Sequence, residues 1–508
     1  MHRRVVKQTM ELFNLLEKNG KIQISIIHYL LDKNLTADIP KLLIDLTITS
    51  FLFNNNVEEL TFILNDLELD LSLEVDHEQN QVTLKKSNQT SLDKLYYYYL
   101  QESIKYQILR HLYYHSSYSI YALSQKFLIS EAAVYRHITG LNQLLDEFNL
   151  KIRRGRITGD ELQICYFFFQ LFWNSVPLEE IQGKENDHNS LLFVSFLEKK
   201  LKQPFGSTTR LKLYLWIRIL KKRTKKLNNP PSVESMTMLS DDYLDDPVYQ
   251  LVRESYFLSV SPSAEFQFEY KATYLYLFIS SLFVIERSNR FLLQSDDWPT
   301  FNTKVIELNK MVVQHVKTAY QIDSAEIDSR FIQEWKYFLT QLHSTIVYFK
   351  GNITFFEEQM LFDRLVNQSI FTPNFELVQQ IIQETEDILG FSLLETTKQL
   401  VTRIHLYFIN QMRRFSKLTI QIGVFCSRDN LQTNIMMESI KNEFDTKFYI
   451  HCEEAEVKKD YDLLISDSAF GIQQFSFKDL YIINDFKTQA DIQALTRLLK
   501  DYSKKEGI

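Results

Sequence analysis

The sequence predicts a mainly helical, multidomain protein that ends in a small α/β domain. The chain has 508 residues, more than one hydrophobic core organises, so several domains of ordinary size are expected. Glycine numbers 11 and proline 9, far below the usual shares of roughly 7% and 5%. That scarcity favours helices and counts against glycine-rich phosphate loops. Finally, the apolar spacing is helical from about Phe167 to Met412 and turns strand-like near Leu418.

Hydrophobic residues make up 45% and charged residues 24%, enough for each domain to bury a normal core and too apolar for extensive disorder. Cys165, Cys426 and Cys452 form no CxxC pair and lie near no histidine at zinc-finger spacing. A reducing cytoplasm is expected, with no metal site and no cofactor. The longest apolar stretches, such as Tyr274 to Ile285, fall short of the ~20 residues a bilayer-spanning helix needs, so no membrane span is expected. The first residues are basic but lead into an amphipathic segment without a small-residue cleavage site, so no export signal is read.

A net charge of -7 would count against a nucleic-acid partner if it were evenly spread. Residues 97–157 instead hold eight Lys/Arg against four acids, a local +4 within a chain whose remainder carries -11. A basic island of this kind suits a local polyanion contact.

The same island carries a structural motif. Ile104, Ile108, Leu109 and Leu112 recur at helical spacing, and a short helix follows Ser119. Leu123, Phe127, Ile129, Val134 and Ile138 then mark two helices meeting across a tight turn. Ser130 is the N-cap of the second helix and Glu131 complements its dipole. Close crossing of two helices needs a small residue in the first, here Ser124. Beyond Leu145, the run from Leu150 to Ile164 alternates in polarity around Gly155, as a two-stranded wing does. Tyr135, Arg136 and Thr139 are expected to face the major groove of DNA, with Ser130 at the helix start. Arg153, Arg154 and Arg156 on the wing suit phosphates or the minor groove. The plainer alternatives are a surface ion pair for Arg136 and a half-buried packing role for Tyr135. His137 is expected to pack at the helix boundary.

An earlier copy of the motif runs through Ile39 to Leu46, a turn at Thr47 to Ser50 and a helix from about Phe51 to Leu64. Leu71–Val75 and Val82–Lys85 supply its wing. Leu43 stands where a small residue is wanted, and the second helix offers Asn54, Asn55 and Asn56 but no Lys or Arg. Its contact with DNA is left open. At the other end of the chain, Thr419 to Cys426, Phe448 to His451, Asp462 to Ser466 and Leu480 to Ile483 are expected strands. Helices Asn430–Phe444 and Asp491–Tyr502 alternate with them, which specifies a small parallel α/β domain.

This order of parts resembles the Mga family of virulence and carbohydrate-responsive regulators of Gram-positive bacteria across nearly the whole chain. Its most specific section runs from Ser119 to Ile138, with the wing and Tyr166 to Trp173 behind it. The resemblance implies winged helix-turn-helix domains at 1–90 and 91–166, the second being the main DNA-binding domain. It further implies two helical phosphotransferase regulation domains (PRD) at 167–290 and 291–416, and a domain at 417–508 similar to the IIB component of sugar phosphotransferase systems. In such regulators, phosphocarrier proteins modify PRD histidines and so bias dimerisation and activity. The segment Leu211 to Ile219 lies where the first PRD commonly places its histidine and has none. In the second, His343 and His405 are the candidates, with a surface or capped helix histidine as the plain alternative for each. His405 is favoured because it lies close to the α/β domain. Cys426 ends the first strand, where an active IIB component carries its phosphorylated cysteine. The following loop lacks glycines and carries Asp429, so a degenerate domain kept for homodimerisation is expected.

Three function classes follow. A DNA-binding regulator needs no catalytic residues and uses the basic island. A PRD-type RNA antiterminator would begin with a small β-rich module, which the helical N-terminus opposes. A phosphotransferase component would act through Cys426 and a histidine, against which the loop composition weighs.

Overall fold

The computed structural model describes residues 10–115, 117–182, 188–202, 204–224, 243–259, 265–284, 302–354, 372–413, 415, 419–427, 430–444, 448, 450–483 and 488–505. The chain is mainly helical, with a small parallel sheet near the C-terminus. It divides into two compact units, Met1–Phe301 with Ser344–Glu357, and Asn302–His343 with Glu358–Ile508.

The first unit opens with α1 (Lys18–Asp32), β1 (Thr36–Asp38), α2 (Ile39–Asp45), α3 (Ser50–Asp66), β2 (Leu71–Asp76) and β3 (Gln81–Lys86). Asp38 caps α2 by accepting the Lys41 amide at 3.1 Å, and Thr49 caps α3 through the Leu52 amide at 3.3 Å. The expected wing is present as the antiparallel pair β2–β3, and β1 adds a third strand in the order β1-β3-β2. That strand is too short to leave an alternating pattern in the sequence.

A second winged unit follows: α4 (Asp93–Glu102), α5 (Ile104–Tyr114), α6 (Ile120–Phe127), α7 (Glu131–Leu145), β4 (Lys151–Arg153) and β5 (Arg156–Thr158). Ser103 divides α4 from α5. Its hydroxyl accepts from the Tyr106 amide at 3.2 Å and donates to the Leu15 carbonyl at 2.6 Å, so the cap also pins the N-terminal segment.

Next comes α8 (Glu161–Ser175), whose Ile164 to Phe169, Leu171 and Phe172 are all buried. A helix apolar all round lies inside a protein rather than on it. The boundary read at 166/167 falls inside this continuous helix, because its apolar residues serve two neighbours. Behind it lie α9 (Leu178–Gln182), α10 (His188–Leu201), α11 (Ser207–Thr224), α12 (Pro247–Ser259) and α13 (Glu265–Ser281). Phe169 of α8 meets Phe278 of α13 edge-on at 4.8 Å, and Phe278 stacks on Trp216 of α11 at 4.3 Å. Arg223 of α11 makes a two-bond pair with Glu161 at the start of α8, at 2.7 and 2.8 Å. The segment Leu211 to Ile219 is core-forming α11, with Leu213, Leu215, Trp216 and Ile217 buried. The boundary read at 290/291 lies outside the described residues.

In the second unit, α14 (Thr303–Ala319), the part of α15 (Ser329–Tyr348) up to His343, α16 (Thr372–Leu389) and α17 (Glu395–Arg413) are helical. Trp335 of α15 packs against Phe408 of α17 at 4.8 Å. The α/β domain contains β6 (Ile420–Phe425), α18 (Asn430–Phe444), β7 (Ile450–Glu454), β8 (Asp460–Ser466), β9 (Ser476–Ile482) and α19 (Gln489–Lys505). Its strands are all parallel in the order β7-β6-β8-β9. Ile422, Val424, Leu463 and Ile465 meet Phe444, Leu495 and Leu499 in its core. The boundary read at 416/417 also lies outside the described residues.

Candidate nucleic-acid interface

The helix-turn-helix is built by α6 and α7. Ser124, 6% exposed, lies at their crossing with its hydroxyl donating to the Tyr121 carbonyl at 2.8 Å. A larger side chain would drive the helices apart. The turn is made by Leu128, held in the left-handed region at φ 53° and exposed. Ser130 then caps α7 by accepting the Ala133 amide at 3.2 Å, with Glu131 in the first turn. Val134, Ile138, Leu141, Leu144 and Leu145 point into the core.

That burial leaves Tyr135, Arg136 and Thr139 exposed on α7. Tyr135 is 58% exposed, more open than a packing role requires. Among the described residues Arg136 has no ion pair, so the alternative of a surface salt bridge finds no partner. Thr139 donates its hydroxyl to the Tyr135 carbonyl at 2.9 Å, which leaves its lone pairs facing outward. His137 is partly buried, and that burial lowers its pKa.

The wing is a two-residue hairpin. Arg153 pairs with Arg156, and the turn between them uses Arg154 at φ 47° and Gly155 at φ 72°. Two consecutive left-handed residues match a type I′ turn, whose twist suits the flanking strands. A Cβ at Gly155 would lie 2.2 Å from the Tyr118 carbonyl oxygen, so glycine is required there. Arg153, Arg154 and Arg156 are exposed, and among the described residues none makes an ion pair. Lys151, by contrast, lies 3.9 Å from Asp146.

Asn142 was not singled out from the sequence, yet it ties wing to helix. Its side-chain amide donates to the Ile152 carbonyl at 3.2 Å, and its oxygen accepts the Ile152 amide at 2.6 Å. Only the helical phase of Asn142, on the side facing the wing, could have pointed to it.

The first winged unit has the same architecture and different chemistry. Phe51, Asn54, Asn55, Glu58, Glu59, Phe62 and Asp66 are among the exposed residues along α3, which carries no Lys or Arg. Asn56 is buried, and its amide donates to the Leu52 carbonyl. Such a face repels phosphate.

His343 and His405, read as separate candidates, form one pair. Their rings meet edge-on at 5.7 Å and both are fully buried. His343 Nδ1 donates to Asn309 Oδ1 at 2.6 Å, and Asn309 in turn donates to Thr340 Oγ1 at 2.8 Å, which sets the tautomer and leaves a lone pair on Nε2. Among the described residues, neither His343 Nε2 nor either nitrogen of His405 has a hydrogen-bond partner. Both rings are thus inside the helical core, not on its surface. The sequence placed His343 near no module boundary; it is the last residue of its segment in the second unit, and Ser344 begins a segment of the first.

Cys426 directly follows β6 and is buried. Beside it, the Ser427 amide donates to Asp467 Oδ1 at 2.8 Å. A carboxylate therefore takes a backbone donor that a phosphate loop would need. Asp429 lies outside the described residues. Among the described residues no group of three or more His, Cys, Asp or Glu could hold a metal, and no helix is long and apolar enough to cross a membrane.

A capped helix crossing and a wing whose three arginines make no ion pair among the described residues define a protein of the winged helix-turn-helix class. Residues 88–172 match the family model described as the Mga helix-turn-helix domain, which supports membership of the Mga-type regulators and so a DNA-binding transcriptional regulator. No curated protein matches the chain.

The histidine pair makes stability depend on acid. Burial, and for His343 also the neighbouring His405, depresses both pKa values, that of His405 to about 3. The unfolded rings, with values near 6.5, bind protons that the folded rings refuse, so stability is complete above about pH 6.5 and is lost as pH falls below it. Thermal unfolding of the full chain from pH 7 to pH 5 is expected to show this loss. Replacing both histidines by Gln is expected to flatten the profile, and an unchanged slope would place the acid sensitivity elsewhere.

Proposed function

We propose that this protein regulates transcription in the cytoplasm by binding duplex DNA through its second winged unit, without catalysing a reaction. The carrying observation is the set of four exposed arginines, Arg136 on α7 and Arg153, Arg154 and Arg156 on the wing, which make no ion pair among the described residues of an otherwise acidic chain. Arg136 reads a guanine edge, with Tyr135 and Thr139 beside it in the major groove. Ser130, at the helix N-terminus, meets a phosphate with its hydroxyl proton and the helix dipole. The wing arginines take phosphates or enter the minor groove. The helical N-terminus favours this reading over an RNA antiterminator.

The regulatory part of the proposal has PRD-like helical domains and an IIB-like C-terminal domain acting on a homodimer. Phosphocarrier proteins of the phosphotransferase system would modify His343 or His405, and with both rings buried the transfer requires α15 and α17 to part. A phosphoryl group brings about -1.5 to -2 charges, which the closed apolar core cannot accept. Self-association through the C-terminal domain is supported by Leu431 and Ile435, exposed one turn apart on α18.

Four outcomes test this. Arg136→Ala is expected to weaken duplex binding and relax base preference by about 1–3 kcal/mol. Neutralising the three wing arginines lowers affinity for all sequences and flattens the salt dependence by about one unit for each phosphate left without its arginine. Gel-shift titrations with duplex and structured RNA at several salt concentrations measure both; wild-type behaviour in both variants would remove this unit from the interface. Replacing Leu431 and Ile435 by Glu is expected to yield monomers in sedimentation, and an unchanged dimer would move the contact elsewhere. Incubation with a phosphorylated phosphocarrier protein, read by mass spectrometry, is expected to label the His343 or His405 peptide. No label, even at temperatures that loosen the helical core, would make the input something other than phosphotransfer.

A further inference from the structure

The residues directly after α15 form a short strap against the DNA-binding module, and both strap and module belong to the first unit. Gln163 of α8 grips the strap with both ends of its side-chain amide, donating to the Lys350 carbonyl at 2.7 Å and accepting the Lys350 amide at 3.0 Å. Tyr166 donates to the Gly351 carbonyl at 2.8 Å and stacks on Phe349 at 4.5 Å. The Asn352 amide donates to Glu147 Oε1 at 3.2 Å, and the Thr354 carbonyl accepts the Leu12 amide at 2.8 Å. Gly351, at φ 81°, lies so close over the Phe148 ring that a Cβ would sit 2.9 Å from three ring carbons.

Glu147 and Phe148 belong to the single 3-10 turn Asp146–Phe148 that ends the recognition helix α7. Glu147 is buried, and its other oxygen, Oε2, accepts the Met10 amide at 2.8 Å. One carboxylate at the foot of α7 thus holds two main-chain amides from segments 137 and 205 residues away. Asn142, one turn earlier, holds the wing. The foot of the helix, the wing and the strap are therefore one hydrogen-bonded assembly.

We propose that Glu147 is a positioning residue for DNA recognition, and that the strap Phe349–Thr354 is the element through which α15 sets the angle of α7 and the wing. The bonds that hold the strap are nearly all made to its main chain, so it is sensed as a displacement rather than by side-chain identity. α15 is continuous from Ser329 to Tyr348 and carries His343 five residues before its end. A shift of that helix along its axis reaches the strap with no flexible residue between. Docked, the strap completes the seat of α7; withdrawn, it takes the Asn352 amide from Glu147 Oε1 and both Lys350 main-chain groups from the buried Gln163 amide, a cost that drives α7 to a different setting.

The inference rests on the reading of the second winged unit as the DNA contact. Its test uses the full chain with Gly351→Val, which lifts the strap off Phe148, and the milder Glu147→Gln and Tyr166→Phe, in case the first fails to fold. Hydrogen exchange without DNA is expected to accelerate in 349–354 and also in α7 and the wing; acceleration confined to the strap would overturn the proposal. With a duplex captured from genomic fragments, affinity is expected to fall about tenfold in Gly351→Val and less in the milder pair. The salt slope should remain that of wild type, because the phosphate contacts are displaced together rather than deleted. Unchanged affinity in variants whose strap exchanges fast would also overturn it. Failure of the underlying reading looks different: wild type would then not bind duplex, while the exchange result would still decide whether the strap positions α7.

Discussion

Helix α8 cannot be solvated. Tyr166 to Phe169, Leu171 and Phe172 are buried along a single helix, and each large apolar side chain left in water would cost about 1.5–3 kcal/mol. The winged unit in front of α8 covers part of that surface and α11 and α13 cover the rest. The recognition helix therefore stands on a core shared with the helices behind it. The two-bond Glu161–Arg223 pair reinforces this, because a buried carboxylate without its guanidinium carries a heavy desolvation penalty. Whatever rearranges these helices acts on the foundation of the second winged unit.

Two winged units of the same architecture occur in series, and they differ in the charge of their exposed helix faces. On the second, the exposed side of α7 and the wing carry arginines. On the first, the exposed side of α3 carries Glu58, Glu59 and Asp66 between Phe51 and Phe62. Phosphate contacts dominate affinity for DNA, so the shared fold does not confer a shared partner. An acidic chain can present a cationic face because residues 97–157 hold few acids and carry a local excess of +4.

The histidine pair and Cys426 show chemical groups in settings that restrain them. Burial keeps His343 and His405 neutral, and among the described residues three of their four nitrogens have no hydrogen-bond partner. Unsatisfied polar atoms in a core are costly, which leaves this packing less favourable than an apolar one and more ready to open. At the end of β6 the resemblance to a phosphate-carrying loop stops at the cysteine, because Asp467 already holds the Ser427 amide.

Periodicity and composition determined the main elements by themselves: the helix-turn-helix with its Ser130 cap and Ser124 crossing, the wing around Gly155, the strands of the α/β domain and the helix Asn430–Phe444. These are local, since a helix or strand prints its repeat into consecutive residues. The exposed Arg136 was legible for the same reason, because the apolar phase of α7 dictates which side faces out, and the alternation around Gly155 did the same for the wing arginines. Only the tertiary structure decided the rest. The strand Thr36–Asp38 was too short to show a pattern, and the boundary at 166/167 dissolved into a helix shared by two cores. His343 and His405, far apart in sequence, became one buried pair, and Glu147 and Gln163 found main-chain partners near residue 350. Such contacts depend on where distant segments arrive in space, and a side chain that binds another segment's backbone leaves no signature in that segment's sequence.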